Sequence, residues 1–299
     1  MGTFYISRKG IRMAVCLALS VVFFGLSGCQ DLGLIDPDST SINDPIIDYV
    51  EINDVPYGKG PLQKLDIALP LSLEKNPAEV VILIHGGGWT TGDKFYLGST
   101  VNLLKKAKKN LAIVNVNYRI ASDTGNLISL QREDISSAVA YLVENAGKYN
   151  IKDKDYMIAG ISAGGHLALT HAYGDNKNQI IKTVVAASAP TELCIREMVD
   201  ASLQPNVQYL VGAKYEGPLD AFIEASPFYL ASFRSPRTIL LYGEDDKLVS
   251  VQHGALLHKK LKALRVPHSY ILYPGEAHNV SAEKITRNVF AAFQNQPAN

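Results

Sequence analysis

Residues 156–172 read YMIAGISAGGHLALTHA, from Tyr156 to Ala172. A strand-length apolar run, YMIA, enters the pentapeptide Gly160-Ile161-Ser162-Ala163-Gly164, and a run of helix-forming residues leaves it. Glycines on both sides of a serine let the backbone reverse sharply between strand and helix, which holds the hydroxyl out at the edge of a sheet. The pentapeptide alone would arise by chance about 0.1 times in a chain of this composition, so its weight comes from the strand and helix that flank it.

Outward from this turn, strand-length apolar runs alternate with helix-length amphipathic ones, the signature of an α/β fold with a mostly parallel sheet. Strands are expected at Asp48–Asn53, Gln63–Ala68, Val80–His85, Leu111–Val116, Tyr156–Ala159, Thr183–Ala187, Thr238–Tyr242 and Ser269–Leu272. The first two, joined through a Pro-Tyr-Gly turn, read as an antiparallel start. Ile135, Ala138, Val139, Leu142, Val143 and Ala146 recur at three and four, so Leu130–Tyr149 reads as one amphipathic helix, and a last helix is expected over Ala282–Gln294. Thr191–Ser235, between the sixth and seventh strands, reads as a small lid or pocket wall. Lysines 105, 106, 108 and 109 fall at a helix's C-terminal end, where positive charge complements the dipole.

Two further loops at strand ends carry chemistry. His85-Gly86-Gly87-Gly88-Trp89 follows VVILI; successive glycines leave backbone N–H groups uncovered and able to face a developing oxyanion. A phosphate loop is the competing reading, but the spacing fits neither G-x-G-x-x-G nor the P-loop. Trp89, the one tryptophan, reads as packing for this loop. The strand Thr238–Tyr242 runs into Gly243-Glu244-Asp245-Asp246, three acids at a strand's C-terminal edge, where functional groups of such sheets gather. His278 follows the last strand, 32 residues after Asp246, and is the candidate base; His85 and His166, inside the glycine motifs, read as structural, and His171, His253, His258 and His268 lie in or beside expected helices or at a strand's start.

These motifs resemble those of the α/β-hydrolase superfamily, in particular carboxylesterases with an HGGG or HGGxW loop: acetyl xylan and feruloyl esterases, hormone-sensitive-lipase-like enzymes and kynurenine formamidases. Gln63–Pro70, Asn117-Tyr118-Arg119, Asp134, Ala225-Ser226-Pro227 and the Gly243, Asp246, Val249 spacing correspond as well, over residues 46–296. The resemblance implies an α/β-hydrolase fold with an eight-stranded, mostly parallel sheet flanked by helices. It makes Ser162 the nucleophile, Asp246 the orienting acid, in preference to Glu244 and Asp245, and His278 the base. It implies an oxyanion hole from the N–H groups of Gly87, Gly88 and Ala163, with no cofactor and no metal. Tyr118-Arg119-Ile120-Ala121-Ser122-Asp123 in place of YRLAPE, and GIS in place of GDS, lean toward the xylan esterase and formamidase side. The implied reaction is ester hydrolysis through an acyl-enzyme, on a small ester or acylated carbohydrate; an amide or peptide hydrolase on the same groups is the alternative, and a non-catalytic binding module the remote one.

The N-terminus adds an address. Arg8, Lys9 and Arg12 precede the apolar run Met13–Leu26, too short to span a bilayer, and Leu26-Ser27-Gly28-Cys29 is similar to the lipobox of bacterial lipoproteins. Residues 1–28 are therefore expected to be a signal peptide, Cys29 a lipidated N-terminus, residues 29–45 a tether, and residues 46–299 the hydrolase domain. That address is the bacterial cell envelope, with the domain lipid-anchored and facing the periplasm or exterior. Sixteen residues, Gln30–Pro45, could reach about 50 Å when extended. Lys+Arg and Asp+Glu number 29 each, and loss of the three basic signal residues leaves 26 against 29, a net charge near −3. Such a surface offers no field for nucleic acid. Of three cysteines, only Cys194 stays unmodified in the mature chain, so the fold is expected to stand without a disulfide, and no Cys/His pair has zinc-ligand spacing.

Overall fold

The computed structural model describes residues 48–71, 76–107, 109–122, 125, 127–176 and 178–294. The expected signal peptide, Cys29 and the tether lie outside the described residues. Eight strands form one sheet: β1 (Tyr49–Pro56), β2 (Lys64–Pro70), β3 (Glu79–Ile84), β4 (Leu111–Val116), β5 (Tyr156–Ile161), β6 (Ile181–Ala187), β7 (Arg237–Gly243) and β8 (His268–Tyr273). Their order is β1-β2-β4-β3-β5-β6-β7-β8. β1 and β2 pair antiparallel, as does β2 with β4, and every later pairing is parallel. The helices are α1 (Gly98–Lys106), α2 (Ile128–Glu144), α3 (Ala146–Tyr149), α4 (Ala163–Thr170), α5 (Gln204–Val211), α6 (Asp220–Ala225), α7 (Pro227–Leu230), α8 (Gln252–Ala263) and α9 (Ala282–Phe293). This is the α/β-hydrolase architecture, an eight-stranded, mostly parallel sheet flanked by helices.

Strand periodicity explains the two cores. Alternate residues of a strand face opposite ways, so a strand covered on both faces must be apolar throughout. In β3, Val80, Ile82 and Ile84 join Ile135, Ala138 and Leu142 of α2, Leu167 of α4 and Leu257 of α8, while Val81 and Leu83 join Leu104 of α1 and Ile285 and Val289 of α9. All of these are buried, and each fully buried aliphatic side chain contributes about 1.5–3 kcal/mol relative to exposure.

Most expected elements are met within two residues at each end, and two depart further. β1 continues past Asn53 to Pro56, because a register shift between Ile52 and Val55 absorbs Asp54, whose φ is 55° and whose N–H donates to Asp66 Oδ1 at 2.7 Å. The expected helix Leu130–Tyr149 is two helices, broken at Asn145 (φ −103°, ψ 13°), whose side-chain amide donates to the Tyr141 carbonyl at 2.8 Å. Residues 191–235 carry a 3₁₀ turn at Arg196–Met198 followed by α5, α6 and α7, and Val199 forms an antiparallel bridge to Val249 in the loop after β7. Among the described residues no helix is long and apolar enough to cross a membrane.

Candidate active site

Parallel strands bring their C-terminal ends to one edge, and the loops after β3, β5, β7 and β8 meet there. Ser162 turns the chain from β5 into α4 with φ 55° and ψ −125°, a conformation that costs a non-glycine residue roughly 1–3 kcal/mol and persists only when its surroundings impose it. The surroundings are tight. Ser162 N–H donates to Ala187 O of β6 at 2.8 Å, and a Cβ on Gly164 would stand 2.1 Å from Ile84 O, so only glycine lets α4 press against the end of β3.

His278, in the loop after β8, links the other two predicted residues. Its Nδ1 lies 2.8 Å from Asp246 Oδ2 and its Nε2 lies 2.9 Å from Ser162 Oγ. A carboxylate only accepts, so Nδ1 carries the proton and Nε2 is left to accept from the serine hydroxyl. Asp246 is selected over its neighbours by its own turn: Oδ1 accepts from the Leu248 and Val249 amides at 2.9 and 2.8 Å, while Glu244 and Asp245 are exposed. Burial by itself would raise the Asp246 carboxyl; the hydrogen bonds from His278, Val249 and Leu248 outweigh it and hold the pKa below the usual range.

The glycine loop passes directly against the serine, since a Cβ on Gly86 would lie 3.3 Å from Ser162 Cβ. Gly87 and Gly88 follow in that loop, and Ala163 opens α4, where its N–H lacks an i−4 carbonyl. Gly87 O accepts from Thr91 N–H at 3.0 Å and from Thr91 Oγ1 at 2.9 Å. His85 is buried, stacks on Tyr118 with centroids 4.4 Å apart, and receives the Tyr118 hydroxyl on its carbonyl at 3.0 Å. Its Nδ1 bonds the Gly86 carbonyl at 2.7 Å, and burial lowers its pKa. Trp89 is buried, as loop packing requires; its carbonyl accepts from Ala121 N–H at 2.8 Å and from Gln131 Nε2 at 3.0 Å.

Sequence reading missed how segment 191–235 is fastened. His253, in the first turn of α8, accepts the Thr191 and Glu192 amides on Nδ1 at 3.2 and 3.3 Å and therefore donates from Nε2 to Met198 O at 2.9 Å. A histidine on a helix carries no sequence mark that tells such a strut from ordinary core packing. Cys194 is a free thiol, and burial first, then Glu192, pushes its pKa up to about 11, which makes it a poor nucleophile at neutral pH.

Fold and site define the class, an α/β-hydrolase, and curated relatives that are carboxylic ester hydrolases support an esterase within it. The BD-FAE family profile matches residues 65–261, and the chain belongs to that family. Esterase LipC of Mycobacterium tuberculosis is 23% identical over 273 residues, covering 82% of this chain and 67% of LipC. The chain spans between 51% and 68% of the lengths of five curated relatives of this kind. Among solved structures, a truncated carbohydrate esterase from gut microbiota superposes with a TM-score of 0.71 at 20% identity, over 83% of this chain and 96% of that one. A bifunctional GH43-CE protein of Bacteroides eggerthii gives a TM-score of 0.71 at 22% identity, over 82% of this chain and 35% of its own.

Proposed function

We propose that the protein is a serine carboxylesterase in which Ser162, His278 and Asp246 act as a catalytic triad on acylated carbohydrate, removing acetyl or feruloyl groups from plant polysaccharide. The observation that carries this reading is the unbroken line from Asp246 Oδ2 through His278 to Ser162 Oγ, at 2.8 and 2.9 Å. As Oγ bonds to the ester carbonyl carbon, its proton passes to His278 Nε2, and Asp246 steadies the imidazolium. The carbonyl oxygen, now negative, faces the N–H groups of Gly87, Gly88 and Ala163. Collapse of the tetrahedral intermediate breaks the bond to the alcohol, which leaves with the proton from His278. Water then attacks the acyl-serine, giving up a proton to His278, and the acid departs as Ser162 is reprotonated.

The choice of an acylated carbohydrate is supported by the two structural neighbours that are themselves a carbohydrate esterase and a GH43-CE protein. Lipidation of Cys29, with residues 29–45 as tether, would hold the domain at the envelope surface, where extracellular polymer fragments arrive. The testing experiment is a hydrolysis panel for wild type and Ser162→Ala: acetylated xylan, methyl ferulate, short- and long-chain p-nitrophenyl esters, N-formylkynurenine and aminoacyl amides. Activity on the first two, abolished by Ser162→Ala, is expected. Turnover confined to long acyl chains or to amides would overturn the substrate reading, and retained activity in Ser162→Ala would overturn the nucleophile. Detergent-phase partitioning of wild type, lost in Cys29→Ala, tests the anchor.

A further inference from the structure

His166 lies one turn beyond Ser162 on α4, completely buried, and its two ring nitrogens face different parts of the molecule. Trp89 Nε1 stands 3.0 Å from His166 Nδ1, with the rings edge to face at 85° and centroids 5.1 Å apart. An indole nitrogen only donates, so Nδ1 is the acceptor and the ring proton sits on Nε2. That proton points to Ala225 O, 2.8 Å away, at the end of α6. The backbone of His166 completes the junction, its N–H donating to Ser162 O at 3.0 Å. Three pieces of chain converge on one imidazole: the glycine loop, the helix that starts at the serine, and the segment 191–235.

Trp89 is the residue that fixes the far end of Gly86-Gly87-Gly88, and its φ of 63° places a bulky residue in the left-handed region. Such a conformation is held by its surroundings, and the indole's one polar anchor is His166. Burial lowers the His166 pKa to about 3, so the ring is uncharged at neutral pH and can serve as one acceptor and one donor.

We propose that His166 is a positioning residue for ester hydrolysis: through Nδ1 it sets the oxyanion loop by way of Trp89, and through Nε2 it ties that loop's position to segment 191–235 at Ala225. It touches neither substrate nor the reacting atoms. The inference rests on the reading of Ser162 as nucleophile and of the glycine loop as oxyanion hole. Because the two nitrogens serve different partners, their losses separate. An asparagine at 166 offers an amide oxygen near the place of Nδ1 and leaves Ala225 unserved; a glutamine offers an amide nitrogen near the place of Nε2 and leaves Trp89 unserved.

The experiment measures kcat and KM on p-nitrophenyl acetate, thermal midpoints and the rate of Ser162 labelling by a fluorophosphonate, for wild type, His166→Gln, His166→Asn and Trp89→Phe. His166→Gln is expected to lose about 10- to 100-fold in kcat with KM within about threefold, the scale of an oxyanion loop displaced by a fraction of an ångström. His166→Asn is expected to recover most of that kcat and to raise KM instead. Trp89→Phe should match His166→Gln, and the double variant should be no worse than either alone. Equal losses in the two His166 variants, tracking their thermal midpoints, or additive effects of Trp89→Phe and His166→Gln, would overturn the proposal. If neither His166 variant folds, Trp89→Phe decides: a fall in kcat at constant KM supports the relay and an unchanged kcat overturns it. Failure of wild type to label at Ser162 would instead overturn the nucleophile reading beneath it.

Discussion

Asp246 Oδ2 stands 2.8 Å from His278 Nδ1, while the same carboxylate's Oδ1 is occupied by the Leu248 and Val249 amides. The carboxylate therefore cannot turn without breaking its own loop, and it dictates which nitrogen of His278 is protonated. In Asp246→Asn the oxygen is kept by those two amides and the new NH₂ faces Nδ1. A donor opposite Nδ1 forces the proton to Nε2, where it can no longer accept from Ser162. The expected loss is about 10³–10⁴-fold in kcat with the fold intact, measured on p-nitrophenyl acetate with circular dichroism alongside. A variant within tenfold of wild type would mean that Asp246 does not orient the base.

Two glycines, one in the oxyanion loop and one at the start of α1, make opposite predictions. A Cβ on Gly87 would lie 2.1 Å from Thr91 O, at a φ of 117° that L side chains rarely adopt, whereas a Cβ on Gly98, at the start of α1, meets nothing within 4 Å. Gly87→Ala must push the loop out of place, and its kcat/KM is expected to fall at least about 100-fold, the scale of a missing oxyanion donor. Gly98→Ala is expected to keep activity and gain roughly 0.5–1 kcal/mol, by restricting the unfolded chain. Steady-state kinetics and urea titration of both variants check the pair; comparable kinetics in the two would count against the role given to the loop.

The legible parts were those in which a local pattern and a chemical requirement coincide. Ser162 sits between Gly160, whose Cβ would meet the Gly164 backbone, and Gly164, whose Cβ would meet Ile84, and the apolar runs of β3 and β4 announce strands covered on both faces. Less legible were features decided by distant partners. Asp54 lies just past the expected end of the first strand, yet Asp66 on the neighbouring strand accepts its N–H and lets β1 continue. Asn145 interrupts a sustained helical period because its side chain turns back onto Tyr141 O. His166 and His253 differ from a core histidine only through contacts with Trp89, Ala225, Met198 and Thr191, which lie between 55 and 77 positions away and leave no local trace.

Stability should fall with acidity in a defined window. Burial lowers His166 from 6.5 to about 3 and His171 and His253 to about 4, so the folded state holds these rings uncharged where the unfolded chain protonates them. Between those limits the unfolded state binds more protons, and stability rises with pH. The contribution is complete above 6.5 and declines as pH falls, by about 1.4 kcal/mol per pH unit for each ring. The decline ends near 4 for His171 and His253 and near 3 for His166. Asp246, held below 3.8, adds a further loss only at the acid end. Urea midpoints at pH 7, 6, 5 and 4 check the slope; a flat profile over that range would contradict the buried, uncharged assignment.

Arg119 and Asp134 make the most consequential ion pair outside the site. Asp134 is fully buried within α2; Oδ1 accepts from Arg119 NH2 at 2.6 Å and from Gln63 Nε2 at 2.7 Å, and Oδ2 from the Arg119 N–H at 2.7 Å. The bidentate fork fixes Arg119, and two residues later Ala121 N–H holds the Trp89 carbonyl. Removing the carboxylate alone leaves the Arg119 amide and Gln63 Nε2 without their acceptor, while the guanidinium keeps Glu133 Oε2 at 2.9 Å, so Asp134→Ala is expected to cost about 1–3 kcal/mol. Because the strut to Trp89 loosens as well, kcat should drop under conditions where the variant is still folded. Replacing both partners, Arg119→Met with Asp134→Leu, fills the site with apolar groups; the double variant should recover part of the stability but not the kcat, since the tie to the loop is still gone. Urea unfolding and kinetics on the three proteins separate the two effects, and full recovery of kcat in the double variant would show that the pair contributes stability alone.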